Sequence, residues 1–118
     1  MKKAFLIHPV RGHDANEFSD VVEKLESEGW DVYDPARDTP QDGSSIEICK
    51  NNRDGILFSD CVFIIWDGKS TGSLFDLGMT FALGKEFIVL EAPERTKGKS
   101  FQNLMYEMEA VGKQNGME

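Results

Sequence analysis

Apolar residues recur along this chain in two periods, and their order predicts strands interleaved with helices. The run 4–9, AFLIHP, reads as a short strand closed by turn residues. In 14–29, DANEFSDVVEKLESEG, Phe18, Val21, Val22 and Leu25 stand at helical spacing, and Gly29 supplies a stop. WDVYDP (30–35) alternates as a second strand, and the polar stretch 36–45 is expected to be a loop. A second helix is expected over 44–60, although Gly55 sits in its middle, where glycine costs about 1 kcal/mol. CVFIIW (61–66) is continuously apolar, as a strand covered on both faces must be. A third helix is expected over 73–85, a fourth strand over 86–93 and a last amphipathic helix over 99–113, before a frayed end.

Strands alternating with helices imply parallel pairing through crossovers. The expected fold is therefore a small doubly wound α/β domain spanning residues 1–118, Rossmann-like or flavodoxin-like, with a mostly parallel sheet and helices on both faces. Ligands of such sheets bind outside the carboxyl ends of the strands. That rim gathers HPVRGHD (8–14), DPARDT (34–39), DGKSTGS (67–73) and EAPERTKGK (91–99).

Composition narrows the ligand. The chain has 118 residues, 40% hydrophobic and 29% charged, enough for one core without metal or disulfide staples. No apolar run approaches the roughly 18 residues of a membrane span, and the opening MKKAFLIHPVRG reads as a strand rather than a signal peptide. The two cysteines, Cys49 and Cys61, share no metal-ligand spacing and read as free thiols in a reducing cytoplasm. A net charge of −8 argues against nucleic acid or an anionic membrane as partner. A small anion remains acceptable at a local basic spot.

Arg11 and Gly12 offer such a spot, since a guanidinium beside a helix N-terminus suits phosphate; the alternative is a solvated arginine, with Asp14 capping the helix. His8 and His13 have no partner at ligand spacing, so no metal is expected, and His8 is held only as a substrate contact. Gly68 and Gly72 bracket Lys69, Ser70 and Thr71 in a loop whose backbone can approach a sugar. It has neither P-loop lysine placement nor dinucleotide glycine spacing, so no cofactor is expected. Ser73 followed by Asp76 matches a helix-start pattern, in which Asp76 would be a cap. Trp66 and Phe75 either stack on a base or pack in the core.

Asp54, Ser59 and Asp60, the apolar strand, the glycine-containing loop, Asp76-Leu77-Gly78 and ALGK (82–85) follow one another in an order that resembles the nucleoside 2-deoxyribosyltransferase family. Within it, HPVRG resembles the Arg-Gly phosphate loop of the 2'-deoxynucleoside 5'-monophosphate N-glycosidase branch. The resemblance implies cleavage of a nucleoside N-glycosidic bond by a carboxylate nucleophile, here Asp76, with Asp54 near the ribose or the departing base. It implies phosphate contacts from Arg11, Gly12, Ser70 and Gly72. It also implies a homodimer in which the late segment, with Ser100 and Asn103, approaches the neighbouring site. Phe101, Met105 and Met108 form an apolar stripe suited to that pairing.

Two positions depart from the family pattern. Its nucleophile is a glutamate, so Asp76 reaches roughly 1.5 Å less far. Phe5 stands near the substrate position where many members carry a tyrosine, and it lacks the hydroxyl. The expected function is hydrolysis or transfer of the glycosyl bond of a nucleoside or nucleoside 5'-monophosphate. The alternative is a nucleotide sensor that kept the pocket and lost turnover, which release of free base separates.

Overall fold

Side chains on successive strand residues point to opposite faces, and here both faces are paved with apolar groups. The computed structural model describes residues 1–10 and 16–116. In chain order it contains β1 (Lys2–Ile7), α1 (Ser19–Ser27), β2 (Trp30–Tyr33), α2 (Pro35–Asp38), α3 (Ser45–Leu57), β3 (Cys61–Ile65), α4 (Thr71–Ala82), β4 (Glu86–Glu91) and α5 (Phe101–Gly116). The strands form one sheet in the order β2-β1-β3-β4. Every pairing is parallel. This is the α/β fold expected from the alternation of elements.

Alternation along β1 and β3 divides the core. Ala4, Leu6, Cys61, Phe63 and Ile65 meet Val22 and Leu25 of α1 on one face. Phe5, Ile7, Val62 and Ile64 meet Ile56 of α3, Leu77 of α4 and Met105 of α5 on the other. All of β3 is buried, which explains its unbroken apolar run. Burial pushes the Cys61 thiol up to about 12, so it behaves as a small apolar side chain. Among the described residues no helix is long and apolar enough to cross a membrane.

Three elements differ from the sequence expectation. The first helix starts at Ser19 rather than residue 14, and its N-cap residue, Phe18, provides no side-chain cap. The loop expected over 36–45 opens with α2, where Asp34 accepts a hydrogen bond from the Ala36 amide at 3.0 Å and Pro35 occupies the first turn. Four residues are too few for periodicity to reveal. On α5, Met105 of the expected stripe is fully buried against the sheet, Met108 packs partly buried beside it and Phe101 is 52% exposed.

Gly55 does not interrupt α3. It permits the helix to touch the sheet, because a Cβ at this position would lie 2.9 Å from two ring carbons of Phe5 and 3.2 Å from Tyr33. Those rings, registered neighbours on β1 and β2, are stacked with centroids 5.4 Å apart and planes 12° apart.

At the amino-terminal end of the sheet, Lys85 donates to the Ser59 carbonyl at 3.0 Å. Asp60 accepts from the Lys3 amide at 2.8 Å. The SD and ALGK motifs thus fasten strand starts, away from the rim where ligands bind. Gly55→Ala is expected to lower stability by about 1–2 kcal/mol in urea unfolding, because overpacking against two rings exceeds the gain in helix propensity. An unchanged or raised midpoint would contradict the close packing.

Candidate active site

β1 lies between β2 and β3, so the connections leaving β1 and β3 run apart and open a crevice at the carboxyl ends of the strands. The crevice encloses about 910 Å³, within the range of small-molecule sites. His8, Pro9 and Val10 wall it from β1, Pro35 and Ala36 from α2, and Ile48, Cys49 and Asn52 from α3. The turn before α4 and its first two turns, from Asp67 to Asp76, complete it.

Asp76 is partly buried in this wall. It is not a cap. Ser70 is the N-cap of α4, its hydroxyl accepting from the Ser73 amide at 3.4 Å, and Ser73 itself is buried inside the helix. Asp76 lies a turn further on, aimed into the crevice. Burial pushes its carboxyl up to about 7, with a hydrogen bond from Asn52 acting in the opposite direction. Such a group is half ionised near neutrality, the condition that suits a carboxylate to act on substrate at physiological pH.

His8 is buried, its Nδ1 2.9 Å from the Pro9 carbonyl oxygen and its Nε2 2.6 Å from Asp34 Oδ1. Both neighbours present oxygen atoms to the ring, which is thereby held from two sides. Burial alone would raise the Asp34 carboxyl. The hydrogen bond and charge of His8, the Ala36 amide and Arg37 together hold it below its ordinary value. This pair fixes the start of the loop after β1 against the β2 side of the crevice.

Across from it, Asp67 Oδ1 accepts from the Lys69 and Ser70 amides at 2.9 and 2.8 Å, shaping the turn into α4. Thr71 and Gly72 begin the helix, where amides have no partner within it. A Cβ added at Gly72 would meet nothing within 4 Å, so the chain's own packing does not demand glycine there. Lys69 lines the same end. Among the described residues no group of three or more His, Cys, Asp and Glu converges as a metal site would require.

His8, Ser70, Gly72 and Asp76 therefore meet in one crevice. Arg11 and Gly12 lie outside the described residues. Asp54 lies elsewhere, on a different depression, its carboxylate 3.1 Å from Arg53. It is two positions from Asn52 on α3, which turns it away from the crevice. Phe5 is fully buried beneath Gly55 and Tyr33. Trp66 is packing rather than a stacking surface: it is buried, donates from Nε1 to the Ser70 carbonyl at 3.0 Å and meets Phe101 edge-on. Phe75 is the exposed aromatic at the crevice.

Ser100 and Asn103 make hydrogen bonds within their own segment. Ser100 Oγ accepts from the Asn103 amide, and the Asn103 side chain donates to the carbonyls of Thr96 and Gly98 at 2.9 and 2.8 Å. Conversely, Asn52 was not singled out from the sequence. Its signal is helical spacing, since Ile48, Cys49, Asn52, Gly55 and Ile56 follow one face of α3.

Residues 8–112 match the family model for nucleoside 2-deoxyribosyltransferase. The chain belongs to this family. Among curated proteins none matches. Solved structures share the fold of this family member at low identity. A CMP N-glycosidase from Clostridium botulinum superposes with a TM-score of 0.66 at 22% identity, over 93% of this chain and 82% of that one. A 2-deoxyribosyltransferase from Bacillus psychrosaccharolyticus gives 0.65 at 22%, over 81% and 77%. A 2-desoxiribosyltransferase from Leishmania mexicana gives 0.64 at 19%, over 80% and 67%.

A desolvated carboxylate and a helix cap respond oppositely to neutralisation. Because the folded Asp76 carboxyl titrates near 7 against 3.8 in a model peptide, its ionisation opposes folding as pH rises through that interval. Asp76→Asn should therefore raise the melting temperature at pH 8, with the gain vanishing near pH 4. A cap would give a loss at pH 8, and that result in thermal unfolding would overturn the assignment.

Proposed function

We propose that this chain cleaves, or transfers across, the N-glycosidic bond of a nucleoside or (deoxy)nucleoside 5'-monophosphate, with Asp76 as nucleophile. The observation that carries the reading is the Asp76 carboxylate at the crevice of a family member, raised toward neutrality by burial and held by Asn52. The ionised carboxylate attacks the anomeric carbon, and the glycosidic pair leaves with the base. Water or a second base then displaces Asp76 from the glycosyl ester, which restores the carboxylate.

The monophosphate is favoured by the start of α4. Lys69, the first-turn amides of α4 and the unfilled space over Gly72 suit a phosphate. Arg11 and Gly12, which the family resemblance assigns to phosphate, come next in the sequence after the crevice-lining His8, Pro9 and Val10.

Free base released from a panel of nucleosides and their 5'-monophosphates tests this directly. Release should favour the monophosphates and vanish in Asp76→Asn, with nucleotide binding retained in calorimetry. It should also rise with pH along a limb centred near 7, as deprotonation of Asp76 requires. Binding without release from any member of the panel would make the chain a nucleotide sensor. Turnover surviving Asp76→Asn would remove Asp76 as nucleophile.

The homodimer is retained in this proposal. Phe101 of the α5 stripe is 52% exposed, and Phe75 and Phe81 of α4 are 57% and 65% exposed. Exposed apolar side chains of that kind are expected to be covered by a second copy. Light scattering at micromolar concentration should give twice the chain mass or a multiple of it, and a monomer would refute the pairing.

A further inference from the structure

The contacts behind Asp76 run further than its immediate partner. An ionised carboxylate only accepts hydrogen bonds, so Asn52 must turn its NH₂ group toward Asp76 and its Oδ1 away. Asn52 Oδ1 then faces Thr39 Oγ1, which donates to it at 2.9 Å. With its hydrogen committed, Thr39 Oγ1 accepts from the Tyr33 hydroxyl at 2.6 Å. Thr39 is 3% exposed, and Tyr33 is stacked on Phe5, so neither hydroxyl is freely rearranged by solvent.

We propose that Tyr33 and Thr39 are positioning residues of the active site, which lock the Asn52 amide in the orientation that donates to Asp76. The proposal rests on Asp76 being the reacting group. Phe5 offers no hydroxyl to the site, and the Tyr33 hydroxyl on the adjacent strand supplies the polar anchor through two intermediaries. A protonated Asp76 would prefer the opposite amide orientation, in which Asn52 Oδ1 accepts its proton. The hydroxyl chain resists that flip by presenting a donor to Oδ1 on the other side. It thereby favours the ionised, nucleophilic carboxylate against the effect of burial.

Among the described residues, the other titratable groups lining the crevice are His8 after β1, Cys49 on α3, and Asp67 and Lys69 before α4. None is altered in the following variants. Thr39→Val keeps the volume and removes the donor; Thr39→Ser restores it; Tyr33→Phe keeps the ring and removes the hydroxyl. Carbon-detected NMR of the Asp76 carboxyl gives its titration midpoint in the full chain, and base release gives the pH–rate limb.

Thr39→Val should raise the midpoint by about one pH unit, the equivalent of one hydrogen bond, and so lower the ionised fraction at pH 7 about fivefold. Tyr33→Phe should shift it in the same direction by less, and Thr39→Ser should return it to the parent value. A folded Thr39→Val protein with an unmoved midpoint would overturn the proposal. So would a shift that Thr39→Ser fails to reverse. Because the NMR midpoint is read without turnover, absence of base release in the parent protein would refute the functional reading while the titration still decides the relay.

Discussion

The close approach of α3 to the sheet at Gly55 is the constraint on which the crevice depends. With hydrogen in place of a side chain, the helix rests on the stacked rings of Phe5 and Tyr33. Asn52 lies one turn earlier on the same face, and the approach brings it to the level of Thr39 and Asp76. A residue that weakens an isolated helix thus brings polar groups from β2, the segment after α2, α3 and α4 within hydrogen-bonding distance. Local propensity yields here to tertiary packing, as it does where a glycine is needed for contact rather than for conformation.

The electrostatics of the crevice follow from that geometry. Asp76 is taken out of water far enough to raise its carboxyl to about 7, yet Asn52 keeps the ionised form accessible. The β1 side carries a different solution, a histidine bonded on both ring nitrogens to oxygen acceptors. One carboxylate, Asp34, is held ionised by a partner; the other, Asp76, is left near its titration point. Environments that push two carboxylates apart in this way hold the same functional group in two different charge states.

The motifs that made the family recognisable serve two purposes. Ser59, Asp60 and Lys85 tie together the amino-terminal ends of strands, a purely architectural role. Asp76-Leu77-Gly78 combines roles, since Leu77 is a core residue beneath the sheet and Asp76 faces the crevice. This explains how a chain 19–22% identical to the three solved structures retains their fold, and it separates the spacing that specifies the scaffold from the few side chains left to specify chemistry.

Strand and helix order, the parallel sheet, the rim on which loops gather and the placement of Asp76, Ser70, Gly72 and His8 near it were legible in the sequence, because period and turn residues are local signals. Side-chain direction was not. Asp54 and Asn52 are two residues apart on one helix, and only the angle at which α3 meets the sheet sends Asn52 to the crevice and Asp54 to another surface. The Ser70 cap starts α4 at Thr71, two residues before the expected 73, and makes Asp76 a partly buried residue of the second turn rather than a terminal one. Trp66 and the α5 methionine were equally ambiguous as apolar groups until their neighbours were in place. Periodicity tells which residues share a face, but what that face meets is set by contacts between segments distant in the chain.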